Sequence, residues 1–296
     1  MIARIALVLA ALFWAGNYAV GRVIADQIPP ITLSLLRWVV ALCVLLPFAV
    51  SRLSTCARLV RDNFRWFLVM SVTAVVLHPI ITYTALAYTT ATNISLIIAG
   101  TPAMALLISA LMHGERYGLF RIGVVSLSFA GIAILVWNRL SLPNAGDLLA
   151  CVAMTLWAFY NVSLRDCPLV IDGIMLTTVI TIIGVVIMVP LFVAEFAFVR
   201  HAEISGEVAL AVLYVGLFAS GLAYLMWNRG VVDMGAINAA QFMNLVPLFG
   251  VLIGTFLLDE PFTLRHGLAT VLIMAALLLS EYDRRERPVV PVALQR

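Results

Sequence analysis

Two stretches of the chain, about 145 residues apart, carry the same polar punctuation. Asn93, eight residues, Pro102, twelve residues and Glu115 are followed later by Asn238, eight residues, Pro247, twelve residues and Glu260. Trp14-Ala15 returns as Trp157-Ala158, Arg22 as Arg165 and Pro47 as Pro190, all at an offset of 143. A chain that writes its own half twice is expected to fold as two like units, each completing the other's buried surface. In an apolar chain such a duplication is a signature of secondary transporters, whose substrate site lies where the repeats face each other.

The chain is apolar enough for that reading: 64% of its 296 residues are hydrophobic and only 11% are charged. Runs of span length recur, at 3–23, 30–50, 64–86, 92–112, 118–137, 145–165, 171–194, 207–228, 236–257 and 264–282. Hydrocarbon cannot satisfy exposed backbone polar groups, so each run is expected to be a helix. The fold class is therefore all-α integral membrane: ten transmembrane helices as two five-helix repeats around a central cavity, 1–138 and 139–283, with a cytoplasmic tail, 284–296. The first run resembles a signal peptide with Arg4 ahead of it, but its repeat partner, 145–165, lies mid-chain, and the run is expected to stay as a helix.

All 18 basic residues are arginine. With the N-terminus in the cytoplasm, 13 of them fall inside, among them the cluster Arg52, Arg58, Arg61 and Arg65 and the tail residues; Arg22, Arg139, Arg200 and Arg265 fall outside, and Arg37 lies within a span. The positive-inside rule then places both termini in the cytoplasm, in an inner (plasma) membrane. Five spans per repeat is odd, so the second repeat enters the bilayer inverted.

Short connections leave no room for a nucleotide-binding domain, and a chain without lysine has neither a phosphate-binding P-loop nor a Schiff base. Cys43, Cys56, Cys151 and Cys167 show no metal-ligand spacing and are expected as free thiols. No catalytic cluster, metal, cofactor or nucleic-acid partner is expected. The partners that remain are a small-molecule substrate, the bilayer and a second copy of the chain. An enzyme reading lacks its nucleophile and base, whereas a sensor or assembly protein uses the same helices without moving anything.

Tyr83-Thr84-Ala85-Leu86, Thr92-Asn93, Thr101-Pro102 and Gly114-Glu115-Arg116 in the first half, with Asn244-Leu245-Val246-Pro247 and Leu258-Asp259-Glu260-Pro261 in the second, resemble the EamA-domain members of the drug/metabolite transporter superfamily. The resemblance spans nearly the whole chain. It implies ten helices in two inverted repeats, a central cavity and export of amino acids or other small metabolites, with the aromatic amino acid exporters as a plausible relative. A proton-coupled drug exporter is the alternative within the same class.

Polar and aromatic residues inside spans mark the expected pathway, because facing lipid would be costly for them. Trp14, Asn17, Tyr18 and Gly21 share one face of the first span, and Trp157, Tyr160 and Asn161 repeat it in the sixth with amide and phenol exchanged. They are read as cavity lining, with interface anchoring and helix glue as the alternative. The third span carries His78-Pro79 and Tyr83; His78 is the one candidate for proton coupling through a side chain, and equally a neutral histidine bonded to a neighbouring helix. Asn93, Asn238, Gln241 and Asn244 add amides, Tyr224 and Asn228 share a face of the eighth span, and Pro79, Pro102 and Pro247 are candidate hinges. Thr177, Thr178 and Thr181 are candidates to contribute hydroxyls to the pathway, with bonding to the previous turn's carbonyl of their own helix as the alternative. Glu115 and Glu260 are expected to pair with Arg116 or Arg265 or to cap a helix start. Arg37 is read first as snorkelling outward or ion-paired, and second as a contact for a substrate carboxylate. The fifth and tenth spans, poor in polar residues, are placed at the periphery as supports or a dimer face.

Overall fold

The computed structural model describes residues 2–136, 144–167, 171–199, 202, 205–234, 239 and 241–286, and all its regular structure is helical. Seven helices are long and apolar enough to cross a bilayer: α1 (Ile2–Val23), α2 (Pro30–Asp62), α3 (Phe64–Leu86), α5 (Leu119–Val136), α6 (Ala145–Ser163), α7 (Gly173–Phe198) and α8 (Gly206–Gly230). An eighth, α4, is a pair, Ala91–Ile98 and Thr101–His113, bent by 41°. Two helices with shorter apolar stretches follow, α9 (Leu245–Leu257) and α10 (Leu264–Glu286). The chain is a multi-pass membrane protein.

Three boundaries differ from the sequence reading. Helix α2 runs on to Asp62, because residues 51–62 lose hydropathy but contain no Gly or Pro to stop a helix. The span expected at 92–112 breaks at Ala99-Gly100, just before Pro102, whose ring excludes a straight continuation. Asn238 lies outside the described residues, and α9 begins only at Leu245, after a short 3-10 turn over Gln241–Asn244; Pro247 therefore sits in a helix's first turn and not mid-span.

Helices α3 and α8 each contain a π-helical segment, at Ser71–Leu77 and Tyr214–Leu222, starting 143 residues apart. Such segments carry an i→i−5 register and recur at functional sites. Pro79 has no N–H, so the carbonyl four residues back, Val75 O, lacks its α-helical donor; Trp38 Nε1 of α2 supplies one at 3.1 Å. In α8 the carbonyl of Ala219 accepts from Trp14 Nε1 of α1 at 3.0 Å. The carbonyl that Pro79 frees near His78 is thus occupied, by an indole from another helix.

Helix α1 packs on α8 as α6 packs on α3; α1 packs on α9 as α6 packs on α4; α2 packs on α8 as α7 packs on α3. The pairs α2·α7, α4·α9 and α5·α10 join each helix to the one five places on. Exchanging every first-half helix for that counterpart returns these main contacts, while lesser ones such as α1·α4 and α4·α5 have no comparable counterpart in α6·α9 and α9·α10 among the described residues. The α4·α9 crossing depends on Gly250, where an added Cβ would sit 2.4 Å from Ser95 Cβ; small residues at such crossings let backbones approach closely.

At the end where odd-numbered helices finish and even-numbered ones start, two carboxylates clamp helix starts. Glu195 of α7 accepts from Ile31 N (3.0 Å), Thr32 N (2.7 Å) and Thr32 Oγ1 (2.8 Å) at the start of α2. Glu260 accepts from Ala91 N (2.8 Å), Thr92 N (2.9 Å) and Thr92 Oγ1 (2.6 Å) at the start of α4, while Thr90 Oγ1 takes Asn93 N. These amides have no intrahelical partner, and the carboxylates also meet the positive end of the helix dipole. Of the roles expected for Glu260, it takes helix capping, on a helix 168 residues away in sequence. Its aim is set by Asp259, whose φ of 51° is left-handed, as is that of Gly114 (65°) before Glu115; Asp and Gly tolerate that region best. Glu115 accepts from Ser109 Oγ (2.8 Å) and the Tyr117 hydroxyl at the opposite end.

Replacing Glu260 with Ala strands two backbone N–H groups and a hydroxyl, each costing about 1–3 kcal/mol when left buried without a partner. Glu260→Ala is therefore expected to lower the unfolding temperature of the purified protein in detergent more than Thr92→Val, and a variant that melts with the wild type would show that water replaces the clamp. Trp38→Phe keeps the ring but removes the donor to Val75 O, so it is expected to cost about 1 kcal/mol or more, read in the same melting measurement.

Candidate functional site

Seven residues after the start of α2, Arg37 is 7% exposed, and its guanidinium points into the bundle. Nε donates to Ser220 Oγ of α8 at 2.8 Å; Nη1 donates to the Tyr83 hydroxyl of α3 at 2.6 Å and to Asn17 Oδ1 of α1 at 3.4 Å. Tyr83 in turn donates to Asn17 Oδ1 at 2.7 Å. Ser220 is oriented by its own bond to Val215 O, five residues back, so the π-register of α8 sets the hydroxyl that receives Nε. The guanidinium carbon lies 5.0 Å from the Trp38 ring centroid and 5.5 Å from that of Tyr83. The snorkelling expected of Arg37 is not what the structure holds. Three helices offer oxygen acceptors within its reach, and these take the place of interfacial water. No carboxylate among the described residues pairs with it.

Around this arginine the structure gathers eight residues singled out in the sequence. Asn17 and Tyr83 bond to it, while Tyr18, His78 and Tyr224 lie within electrostatic reach of its charge. His78 packs against the Trp157 ring at 5.1 Å, and Trp157 stacks on Tyr160 at 5.1 Å and 25°. Tyr224 meets Trp14 at 5.7 Å and Trp38 at 6.1 Å, and Trp227 packs on Trp14 at 5.4 Å. The expected face of α1 and the aromatic part of the expected face of α6 therefore belong to one polar and aromatic group that α2, α3 and α8 complete. His78 Nε2 is occluded and makes no hydrogen bond, so the neighbouring-helix bond expected for it is absent among the described residues.

The remaining amides go elsewhere. Asn161 is exposed, and its Nδ2 donates to Trp157 O of its own helix at 2.6 Å; Asn228 does the same to Tyr224 O at 2.8 Å. Short polar side chains compete well for the previous turn's carbonyl, as Thr177, Thr178 and Thr181 also do. Asn93 belongs to the clamp end: Nδ2 donates to Asp147 Oδ1 (3.0 Å) and Thr89 Oγ1 (3.3 Å), and Oδ1 meets His266 Nε2 at 2.9 Å. Because Thr263 N donates to His266 Nδ1 at 2.9 Å, that nitrogen is the acceptor and Nε2 carries the proton given to Asn93. Asn244 is half-buried before α9 and caps nothing with its side chain. The side chain of Gln241, like the whole of Asn238, lies outside the described residues.

Residues the sequence reading passed over include Ser220 and Trp38, which orient Arg37 and the π-segment, and the buried acids Asp147 and Glu195. A buried acid at a span edge was the available signal, since such a group must be bonded to persist. Ser220 gave none. Among the described residues no group of His, Cys, Asp and Glu is arranged to hold a metal ion, Cys43, Cys151 and Cys167 form no disulfide, and the side chain of Cys56 lies outside the described residues.

The EamA-like transporter family model matches the chain twice, over residues 1–137 and 144–282. A protein of Archaeoglobus fulgidus named as an uncharacterized transporter is 28% identical over 273 residues, covering 90% of this chain and 93% of its own. The Bacillus subtilis transporter YetK is 22% identical across 99% of this chain and 91% of its own. A probable amino-acid metabolite efflux pump of Escherichia coli is 25% identical over 67% of this chain and 70% of its own. One crystal structure shares the fold with a TM-score of 0.64 at 18% identity, covering 97% of this chain and 99% of that one.

Proposed function

We propose that this chain, which belongs to the EamA-like transporter family, exports small metabolites, amino acids with aromatic or other apolar side chains above all, by alternating access between two inverted five-helix repeats. The observation that carries this reading is the convergence of Trp14, Asn17, Tyr18, His78, Tyr83, Trp157, Tyr160 and Tyr224 around one buried arginine. Amphipathic rings with a few placed polar groups suit a small solute that is part apolar. The correspondence of the main helix contacts between the halves and the double family match support the two repeats, 1–138 and 139–283, and the E. coli relative's name supports the cargo class. The bend before Pro102 and the π-segment before Pro79 are the hinges that let one end open while the other stays clamped. Exposed apolar side chains on α5 and α10, such as Leu119, Phe120, Leu268 and Val271, face lipid or a second copy.

In this reading both termini and the α2–α3 connection are cytoplasmic, in an inner membrane, from 13 inner against 4 outer arginines. A single cysteine replacing Arg58 is expected to resist an impermeant thiol reagent applied outside intact cells, and its labelling there would reverse the topology. Single Ala replacements of Trp14, Tyr18, Trp157 and Tyr160 are each expected to reduce counterflow of a labelled amino acid in proteoliposomes while insertion and folding persist. Wild-type flux in all four would remove the lining role. If no solute in a panel of amino acids, organic acids and amines exchanges across sealed vesicles, the transport reading itself falls.

Cargo is expected to move down its own gradient without an imposed pH gradient, since no Asp, Glu or Lys lies near a span centre. Proton-coupled export is the second reading, and the unpartnered His78 Nε2 favours it. Uphill accumulation under a proton gradient that His78→Gln abolishes, with counterflow retained, would decide for coupling; no accumulation in the wild type decides for uniport.

A further inference from the structure

We propose that Arg37 is the carboxylate-recognising residue of the translocation site, so that the cargo must carry a carboxylate whether or not it also carries an amine; this rests on the transport reading. The first ground is charge. A buried guanidinium needs compensation, yet every group bonded to Arg37 is neutral: a serine hydroxyl, a phenol and an amide oxygen. The second is that the buried carboxylates of the described bundle are committed. Glu195 holds the start of α2, Glu260 the start of α4, and Asp147 accepts from Thr89 and Asn93. A counter-ion drawn from these would strand a helix start or a buried amide.

The third ground is the shape of what is left open. Guanidinium has five N–H donors. Ser220 takes the one on Nε, and Nη1 donates to Tyr83 and, at a longer 3.4 Å, to Asn17. Nη2 makes no hydrogen bond to any described residue and is not occluded. The three neutral partners therefore fix the plane of the group and leave both N–H groups of Nη2 unfilled, charged donors for which a carboxylate is the matching acceptor. His78 Nε2 is a second orphan polar atom within electrostatic reach of the same charge, with Trp157 against its ring. An arginine placed only to join helices would have its donors used; this one is held and left half open. Lysine does not replace it, because an ammonium cannot engage Ser220, Tyr83 and Asn17 as a planar fork and still hold a further donor in a fixed direction.

The test uses the full-length protein in proteoliposomes with labelled L-phenylalanine as probe. Competitors are 3-phenylpropionate, which keeps the carboxylate and lacks the amine, and L-phenylalaninamide and phenethylamine, which lack the carboxylate. Phenylpropionate is expected to compete within a few-fold of phenylalanine, and the other two to be weaker by about 10- to 100-fold, the worth of a charge-assisted bond pair. Arg37→Gln and Arg37→Lys are expected to erase that discrimination. Binding, read as a rise in melting temperature with phenylpropionate but not with phenylalaninamide, follows the same order without requiring flux. Ser220→Ala, which frees Nε beside the open Nη2 without removing charge, is expected to change carboxylate competition by a smaller factor, and it serves if the Arg37 variants fail to fold. Equal competition by the amide or the amine, or discrimination that survives in folded Arg37→Gln or is unchanged in Ser220→Ala, overturns the proposal while exchange itself upholds transport. If the panel shows neither exchange nor carboxylate-dependent stabilisation, transport and this assignment fall together.

Discussion

A helix that starts at the edge of an apolar layer has three or four amide groups with no partner in their own chain segment and little water to turn to. In this bundle the partners are carboxylates borrowed from far away in sequence. Glu195 and Glu260 close the starts of α2 and α4, and each comes from the helix five places on, α7 and α9, or the turn that follows it. Because the clamps join the halves at the end where odd helices finish, they fix how the two halves meet and how close α4 and α9 approach, Ser95 against Gly250. The same demand explains the π-segments. A register change or a proline frees a carbonyl, and Trp14 and Trp38 each spend an indole N–H on one.

The site grows out of that accounting of backbone groups. The π-register of α8 turns Ser220 toward Arg37, and the π-segment of α3 precedes His78 and Tyr83 on the same helix. Tyr83 bridges the arginine to Asn17 of α1, and with Ser220 of α8 helices from both halves share one charge. A low-dielectric setting makes each of these bonds matter more than it would in water, and makes an unfilled donor more consequential. Neutral partners suit a site that must release what it binds, since they orient the guanidinium without quenching it.

The fold was largely legible because hydropathy and repeated punctuation are local or periodic properties. The long apolar spans and the shared face of Trp14, Asn17 and Tyr18 follow from spacing alone, whereas the break inside the run at 92–112 was marked in sequence only by Pro102 as a candidate hinge. Amides were the weaker guide. Asn161 and Asn228 look like pathway residues in a list of polar positions, but both turn back to their own helix, and Asn93 joins Asp147 and His266 at the clamp end. Spacing tells which face an amide shares, not whether a carbonyl one turn away takes its donors first.

What the sequence determined by itself was the membrane class, the helical state forced by hydrocarbon, the duplication and most of the aromatic residues that end up together, since each depends on composition or period. Only the tertiary structure decided the fate of the charges. Seven residues into a span, Arg37 had the reach to leave for water, and it stays because α1, α3 and α8 bring Asn17, Tyr83 and Ser220 to it. Glu260 had Arg265 near it in sequence and instead holds a helix start 168 residues away. Long-range partners of a charge are set by which helices pack together, and that information is in no single segment of the chain.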